Sequence, residues 1–376
     1  MELTLSKEAF SRALSITQSI VAKKTTMPIL VNVLLSTSDG QLRISATDLE
    51  ITAVVSAQAK IKTKGSTTVN GKILADLVRE LPDGDVTLKL SEGERLEVTA
   101  KGTKLKIVGI SAEEYPSLPG VLFEPQTKVS SKQLLEMINK TLYAVSSDET
   151  RFNLNGVCFE IVSEDSGKKA NNTLRMVATD GHRLAIITRP AGNLNFQGRV
   201  IVPRKGLSEI RKVLNPEQDA PVGLEIKEGF LIVESGDTRV SMRLVDAEYP
   251  NYEQVVPKEK GTIAVLPVTE LSQALRRAAL LVSDKGKCVK MEFASGLLRI
   301  SSSSPELGEG VEEIPIKYAG QPLSIGFNAV YILDVAMSLG EAQTMSIELS
   351  GELGAGRFFG EGDESYFGII MPMRLS

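Results

Sequence analysis

A chain of 376 residues with 42% hydrophobic and 24% charged residues has apolar material for several cores, and ordinary domain sizes predict about two to four domains. No low-complexity tract suggests disorder, no run approaches the roughly 18 apolar residues that cross a bilayer, and the opening MELTLSKEAF lacks a basic segment followed by an apolar run. A cytoplasmic protein without a membrane partner is expected, yet its 43 Lys and Arg against 47 Asp and Glu give a net charge of −4, the wrong sign for a protein held on nucleic acid by phosphate contacts.

In chain order, the first element is apolar at helical spacing, FSRAL at 10–14, with Ser6 as candidate N-cap. LRISATDLE from Leu42 alternates with period two, as a half-buried strand does, and SDGQ before it marks a hairpin turn. KILADLVREL from Lys72 predicts a second helix, LPDGD after it reads as another hairpin turn, and EEYPSLP closes the segment at Pro119.

The series then recurs. LLEMI at 134–138 predicts a helix, and Ser130 with Gln133 makes a capping-box signature before it. LRMVATDGH from Leu174 predicts a strand, RKGLSEIRKVL from Arg204 a helix, and AEYPNYEQVVP ends at Pro257. A third pass gives LSQAL at 271–275, LRISSSSPE from Leu298 and NAVYILDVAMSL from Asn328, at a lag of about 125 to 135 residues. The fold class is therefore α+β, in three repeated domains at 1–120, 126–257 and 262–376. Each is mainly antiparallel sheet with two helices gathered on one face.

Catalytic chemistry is missing from the pattern. The sequence contains no GxxxxGK[ST], no GxGxxG opening a helix, no CxxC, no HExxH and no GxSxG, so no enzyme activity, cofactor or metal is expected. The one histidine, His182, stands two residues after Asp180 in ATDGHRLA, too few ligands for a zinc site. The first copy keeps the same aspartate, Asp48, but has Leu49 and Glu50 after it, so the aspartate belongs to the repeat. Cys158 and Cys288 sit in alternating apolar segments and read as core residues rather than a disulfide framework. The glycines of GELGAGRFFGEG, 351–362, read as a flexible hairpin loop, because no lysine or helix start follows them.

The positive charge is not spread evenly. The helical windows 6–24, 70–81, 130–143, 203–214, 267–282 and 328–340 hold fourteen basic and seven acidic residues, an excess of seven that leaves −11 for the rest of the chain. Helices facing one way and sheets the other would give a negative protein one basic surface fit for DNA.

Several phrases, in order along the whole chain, carry a resemblance: MPIL at 27–30, ATDLE at 46–50, LNG at 154–156, ATDGHRLA at 178–185, VPRKG at 202–206, IGFN at 325–328 and MPMRL at 371–375. With them the chain resembles the bacterial DNA polymerase III beta subunits, the beta sliding clamps. The resemblance implies a homodimer closed head to tail into a ring around double-stranded DNA, helices lining the hole and sheets forming the wall. It also implies a pocket for short apolar peptide motifs of the polymerase III catalytic subunit, the clamp loader, and repair and translesion polymerases.

Carried over by motif, that pocket takes Leu154, Thr179, Gly181, His182, Arg183, Leu184, Pro250 and Val255, together with the tail residues Met371, Pro372, Met373, Arg374 and Leu375. Methionine, leucine and proline make a pliable apolar wall, and Arg183 is expected to supply a polar edge. The DNA-facing positions are Lys24, Lys72, Arg151, Phe152, Arg204, Lys205 and Arg277. The subunit contact sets an exposed edge strand bearing Leu105 and Ile107 against Leu280 and Leu281 of the neighbour, with Lys104 and Lys106 facing Glu306, Glu309 and Glu312. The chain departs from the family pattern at Asn153, Gln254 and Ser376, where altered stacking or peptide preference is expected. Two other readings stay open at this point: a peptide-binding scaffold without DNA, favoured by the net charge, and a DNA-acting enzyme, which would need a carboxylate cluster for metal.

Overall fold

A computed structural model describes residues 1–21, 26–118, 125–164, 171–257, 260–282 and 287–375. The chain divides into two compact units. One comprises Met1–Leu135, Gly192–Phe196 and Lys205–Leu244; the other comprises Glu136–Ala191, Gln197–Arg204 and Val245–Ser376.

Six α-helices occur among the described residues, each where the apolar spacing predicts one: α1 Lys7–Gln18, α2 Gly71–Glu80, α3 Ser131–Leu142, α4 Arg204–Val213, α5 Val268–Ala278 and α6 Ala329–Ser338. The buried stripe is the same in the first and third copies. Phe10, Ala13, Leu14 and Thr17 of α1 match Leu271, Ala274, Leu275 and Ala278 of α5, an i, i+3, i+4, i+7 face turned to the sheet. Capping follows the sequence as well. Ser6 Oγ accepts from Ala9 N at 3.3 Å, and Ser130 Oγ accepts from Gln133 N at 3.1 Å while donating to Asp219.

Every sheet is antiparallel. Among the described residues, the first unit holds one sheet of thirteen strands, and the second holds one of nine and one of four. SDGQ is the expected hairpin turn: Asp39 and Gly40 both have positive φ, and Ser38 pairs with Gln41. LPDGD is not a hairpin turn. It joins the end of α2 to the strand Asp85–Ser91, because Pro82 cannot extend the helix and Gly84, at φ +128°, reverses the chain. The glycine-rich stretch at 351–362 also differs from expectation, since Gly356–Gly360 is a paired strand between Thr344–Leu349 and Tyr366–Ile370. Gly356 is required by packing: a Cβ there would lie 2.8 Å from the Phe358 ring and 2.9 Å from Phe327. Both cysteines are free; Cys158 is buried, which pushes its thiol up to about 12, and Cys288 is half-buried.

One pairing rule joins the copies. The strand Ile51–Gln58, which follows the first ATD turn, pairs with Thr238–Arg243, the last strand of the second copy. The strand Arg183–Pro190, which follows the second ATD turn, pairs with Tyr366–Ile370, the last strand of the third copy. Two strands with the same places in the repeat have open edges. Gly308–Pro315 ends the four-stranded sheet, and Thr103–Ile110 pairs on its second side only through Gly109 and Ile110.

In the second unit, four charges alternate around α3 and the turn before Tyr366–Ile370. Arg189 donates to Glu136 at 2.6 Å and to Asp363 at 2.8 Å, and Lys140 donates to the same two carboxylates at 2.8 and 3.2 Å. Burial raises the Asp363 carboxyl, but hydrogen bonds from Arg189, Ser365 and Lys140 outweigh it and hold the group well below the usual carboxylate range. A depressed folded value stabilises the fold fully above the unfolded value near 3.8, and the contribution shrinks progressively as pH falls from there toward the lower folded value. Asp363→Asn is therefore expected to cost about 1 kcal/mol at neutral pH. Urea unfolding at pH 7 and pH 3.5 should show the gap between the two proteins narrowing at the lower pH, and a constant gap would contradict this account.

Candidate functional site

The two ATD turns have the same internal construction. In the first, Thr47 Oγ1 accepts from Leu49 N and donates to Ile51 O, both at 3.0 Å, while Asp48 Oδ1 accepts from the backbone of Glu50 and Ile51. In the second, Thr179 Oγ1 accepts from Gly181 N and donates to Arg183 O, while Asp180 Oδ1 accepts from His182 N at 2.9 Å and Arg183 N at 3.1 Å. Asp180 is thus occupied in closing its turn. The position after it has φ +76° in Leu49 and +92° in Gly181, so the glycine relieves a strain that the first copy keeps. Among the described residues, no group of three His, Cys, Asp or Glu is arranged to hold a metal.

Beside the second turn lies an apolar cavity of about 190 Å³. It is lined by Leu154, Thr179, Gly181, His182, Arg183, Leu184, Pro250, Val255 and Met371, nine of the thirteen residues expected at the pocket. Arg151, Asn251, Tyr252 and Ile369 complete the lining, and no family phrase in the sequence marks them as pocket residues. The adjoining core of Cys158, Val177, Ile186, Ile201 and Tyr249 holds the walls in place. Pro372, Met373, Arg374 and Leu375 do not line the cavity. After Met371 N donates to His182 O at 2.9 Å, the chain turns along Leu323–Asn328, and Met373 N donates to Gly326 O at 2.8 Å. Gly326 permits this approach, since a Cβ there would stand 2.7 Å from Met373 O.

Arg183 is not the polar edge that was expected. Its guanidinium donates from Nε to Asp180 at 3.0 Å, from Nη1 to Asp334 at 2.5 Å and from Nη2 to Tyr143 O at 2.6 Å, and it lies 4.3 Å from the Tyr331 ring centroid. All three nitrogens are engaged, so the residue anchors the second turn to α6 and gives the cavity only its stem. The cation at the cavity is Arg151 instead, which donates to Asp180 O at 2.8 Å and closes over Gly181, where a Cβ would meet Arg151 Nη2 at 2.9 Å.

The remaining residues assigned to DNA occupy different environments. Lys24 lies outside the described residues, as does Ser376. Lys72 and Arg204 are exposed at the first turns of α2 and α4, and Phe152 is 61% exposed. Lys205 is ion-paired with Asp48, and Arg277 makes a two-pronged contact with Glu312 at 2.7 and 2.6 Å. Acidic groups outside the helices also reach Lys7, Arg12 and Lys140, from Asp83, Asp237 and Asp363, so part of the helical excess is cancelled locally.

At the open edges, Leu105 is half-buried, but Ile107 is buried within its own unit; strand alternation turns Lys104, Lys106 and Val108 outward instead. Val108 is 73% exposed and Leu280 is 75% exposed, whereas Leu281 packs over Gly310. Val108 and Val311, both exposed on edge strands, were missed in the sequence because neither belongs to a recognisable phrase.

Three family models match end to end: DNA polymerase III beta subunit, N-terminal domain, over 1–119; central domain, over 128–251; and C-terminal domain, over 253–374. The chain belongs to the DNA polymerase III beta subunit family. It has the three-domain clamp fold and is a DNA sliding clamp, a non-catalytic processivity factor. It is 34% identical to the beta sliding clamp of Caulobacter vibrioides over 339 residues, 89% of this chain and 90% of the relative. Among solved structures it superposes on the Bartonella birtlesii sliding clamp bound to griselimycin, with a TM-score of 0.92, 31% identity and both chains covered in full. A Caulobacter crescentus beta sliding clamp, described with PEG at its candidate beta-motif tethering region, matches at a TM-score of 0.92 and 30% identity, over 100% of this chain and 99% of that one.

Because Arg183 answers two carboxylates and a carbonyl at once, a lysine cannot replace it. Arg183→Lys is expected to destabilise the clamp by about 2 to 3 kcal/mol, measured by urea unfolding. A loss below the scatter of surface substitutions, roughly 0.5 kcal/mol, would contradict the anchoring role.

Proposed function

We propose that two copies of this clamp join head to tail into a ring that encircles duplex DNA without regard to sequence, each with domains at 1–120, 126–257 and 262–376. The observation that carries this reading is the pairing rule of the repeat. Twice within the chain, a strand following the repeated turn pairs with the last strand of the next copy. The third copy's equivalent, Gly308–Pro315, and the first copy's last strand, Thr103–Ile110, would satisfy the same rule only between molecules. The edges carry opposite charges, Glu309, Glu312 and Glu313 on one and Lys104 and Lys106 on the other, but Arg277, Arg299 and Glu97 already pair with all of these except Glu309, so charge adds little beside the backbone pairing.

The apolar cavity is the proposed seat of short apolar peptide segments from the polymerase III catalytic subunit, the clamp loader, and repair and translesion polymerases. Leu154, Pro250, Val255 and Met371 would receive their side chains. Lys72 and Arg204, with Lys24, Lys205, Arg277 and the Arg151–Phe152 segment, are the positions proposed to meet DNA. A net charge of −4, with several helical cations already paired, supports only weak direct attraction, which salt screens further. Residence on DNA would then depend on ring closure.

After loading, the clamp is expected to remain on circular plasmid at salt that abolishes direct binding, and to leave once the plasmid is cut. Equal loss from circular and linear DNA, measured by gel filtration of the complexes, would overturn the ring. Replacing Val108 and Leu280 with Asp should give folded monomers of 40.6 kDa in sedimentation, because both side chains are solvent-exposed within the single chain. A persistent dimer would place the subunit contact elsewhere.

A further inference from the structure

Behind one wall of the apolar cavity is a second, larger groove of about 500 Å³ on the face of the nine-stranded sheet, and Tyr252 lines both. Beside it runs a ladder of charges across neighbouring strands, of which only Arg175 and Thr188 line the groove: Arg199 and Arg175 both pair with Glu160, at 2.7 and 3.3 Å, and Arg175 Nε reaches Thr188 Oγ1 at 3.4 Å. The Tyr252 hydroxyl donates to the same Glu160, and the Arg199 guanidinium lies 5.0 Å from its ring centroid. The wall between the two cavities is therefore fixed from below. Ile186 and Phe367, cross-strand partners, form an apolar floor with Val256, and the rim carries Glu253 and Glu364.

We infer that this groove receives the flank of the same peptide that fills the apolar cavity, and that it selects flanks carrying lysine or arginine. The inference rests on the peptide-seat reading given above. At about 190 Å³ the first cavity is smaller than the roughly 300 to 1,000 Å³ of sites that enclose a drug-sized ligand, so most of a bound peptide must lie outside it. The groove continues from it across a single side chain. Its cation, Arg175, is already answered by Glu160, whereas Glu364 is exposed and Glu253 is 60% exposed beyond its contact with Arg199. The open rim is thus anionic over an apolar floor, which suits the stem and head of a basic side chain and disfavours a phosphate backbone or an acidic segment.

Fluorescence anisotropy on the full-length clamp tests this with three labelled synthetic peptides that share one short core of large apolar residues, sized to the apolar cavity. One carries alanines on both flanks, one two lysines before the core, and one two lysines after it. One of the lysine peptides is expected to bind about three- to five-fold more tightly than the alanine peptide at low salt, with the gain shrinking as salt rises. The gain should vanish in the double variant Glu253→Gln, Glu364→Gln, and should survive in a charge-matched control, Glu341→Gln, Glu352→Gln, at exposed sites outside the groove. A gain that persists in the groove variant, or no gain from either flank, overturns the inference while leaving the peptide seat intact. Failure of the alanine peptide to bind overturns the peptide seat and this inference together.

Discussion

Backbone hydrogen bonding at strand edges is the constraint on which the rest of this structure depends. An unpaired edge leaves a row of N–H and C=O groups without partners, and each repeat copy has such edges on both sides. Within the chain the conflict is resolved twice by the same step, Ile51–Gln58 against Thr238–Arg243 and Arg183–Pro190 against Tyr366–Ile370. The sheets consequently run through the boundaries between family domains. The compact units cut the middle domain apart, with its strands Pro221–Lys227, Phe230–Ser235 and Thr238–Arg243 in one and Gly156–Glu164, Asn171–Thr179 and Arg183–Pro190 in the other.

The apolar cavity follows from the second of these junctions. Pairing Arg183–Pro190 with Tyr366–Ile370 brings the repeated turn beside Met371, and the segment at 250–255 closes the remaining side. Thr179 and Asp180 close the turn through its own backbone, Arg183 ties it to Asp334 of α6, and Gly181 leaves room for Arg151. What distinguishes the second turn from the first is three residues: a glycine in place of Leu49, a histidine in place of Glu50, and an arginine in place of Ile51 at the start of the following strand. Rigid polar construction beneath and apolar walls above suit the peptide seat proposed for this cavity.

Electrostatics contribute less than a count along the sequence suggests. The helices do carry the basic excess, but Asp48, Asp83, Asp237 and Asp363, all outside them, pair with helical cations. Weak attraction suits a sliding clamp, and the proposed ring closure would supply the retention, since every strong phosphate contact would also be a brake.

The sequence by itself determined the repeat, the six helices with the caps Ser6 and Ser130, the turn shared by ATDLE and ATDGH, and the phrases that mark the family. All of these are local, because helical spacing, strand alternation and turn hydrogen bonds are written within a few residues of one another. Tertiary structure decided what depends on partners distant in the chain. Arg183 became an anchor because Asp334 and Tyr143 converge on it, and Arg151 came to the cavity because its loop crosses Gly181. GRFFG became a strand because two neighbours offered it edges, and Ile107 turned inward while Val108 turned out because strand register, not hydrophobicity, selects the face.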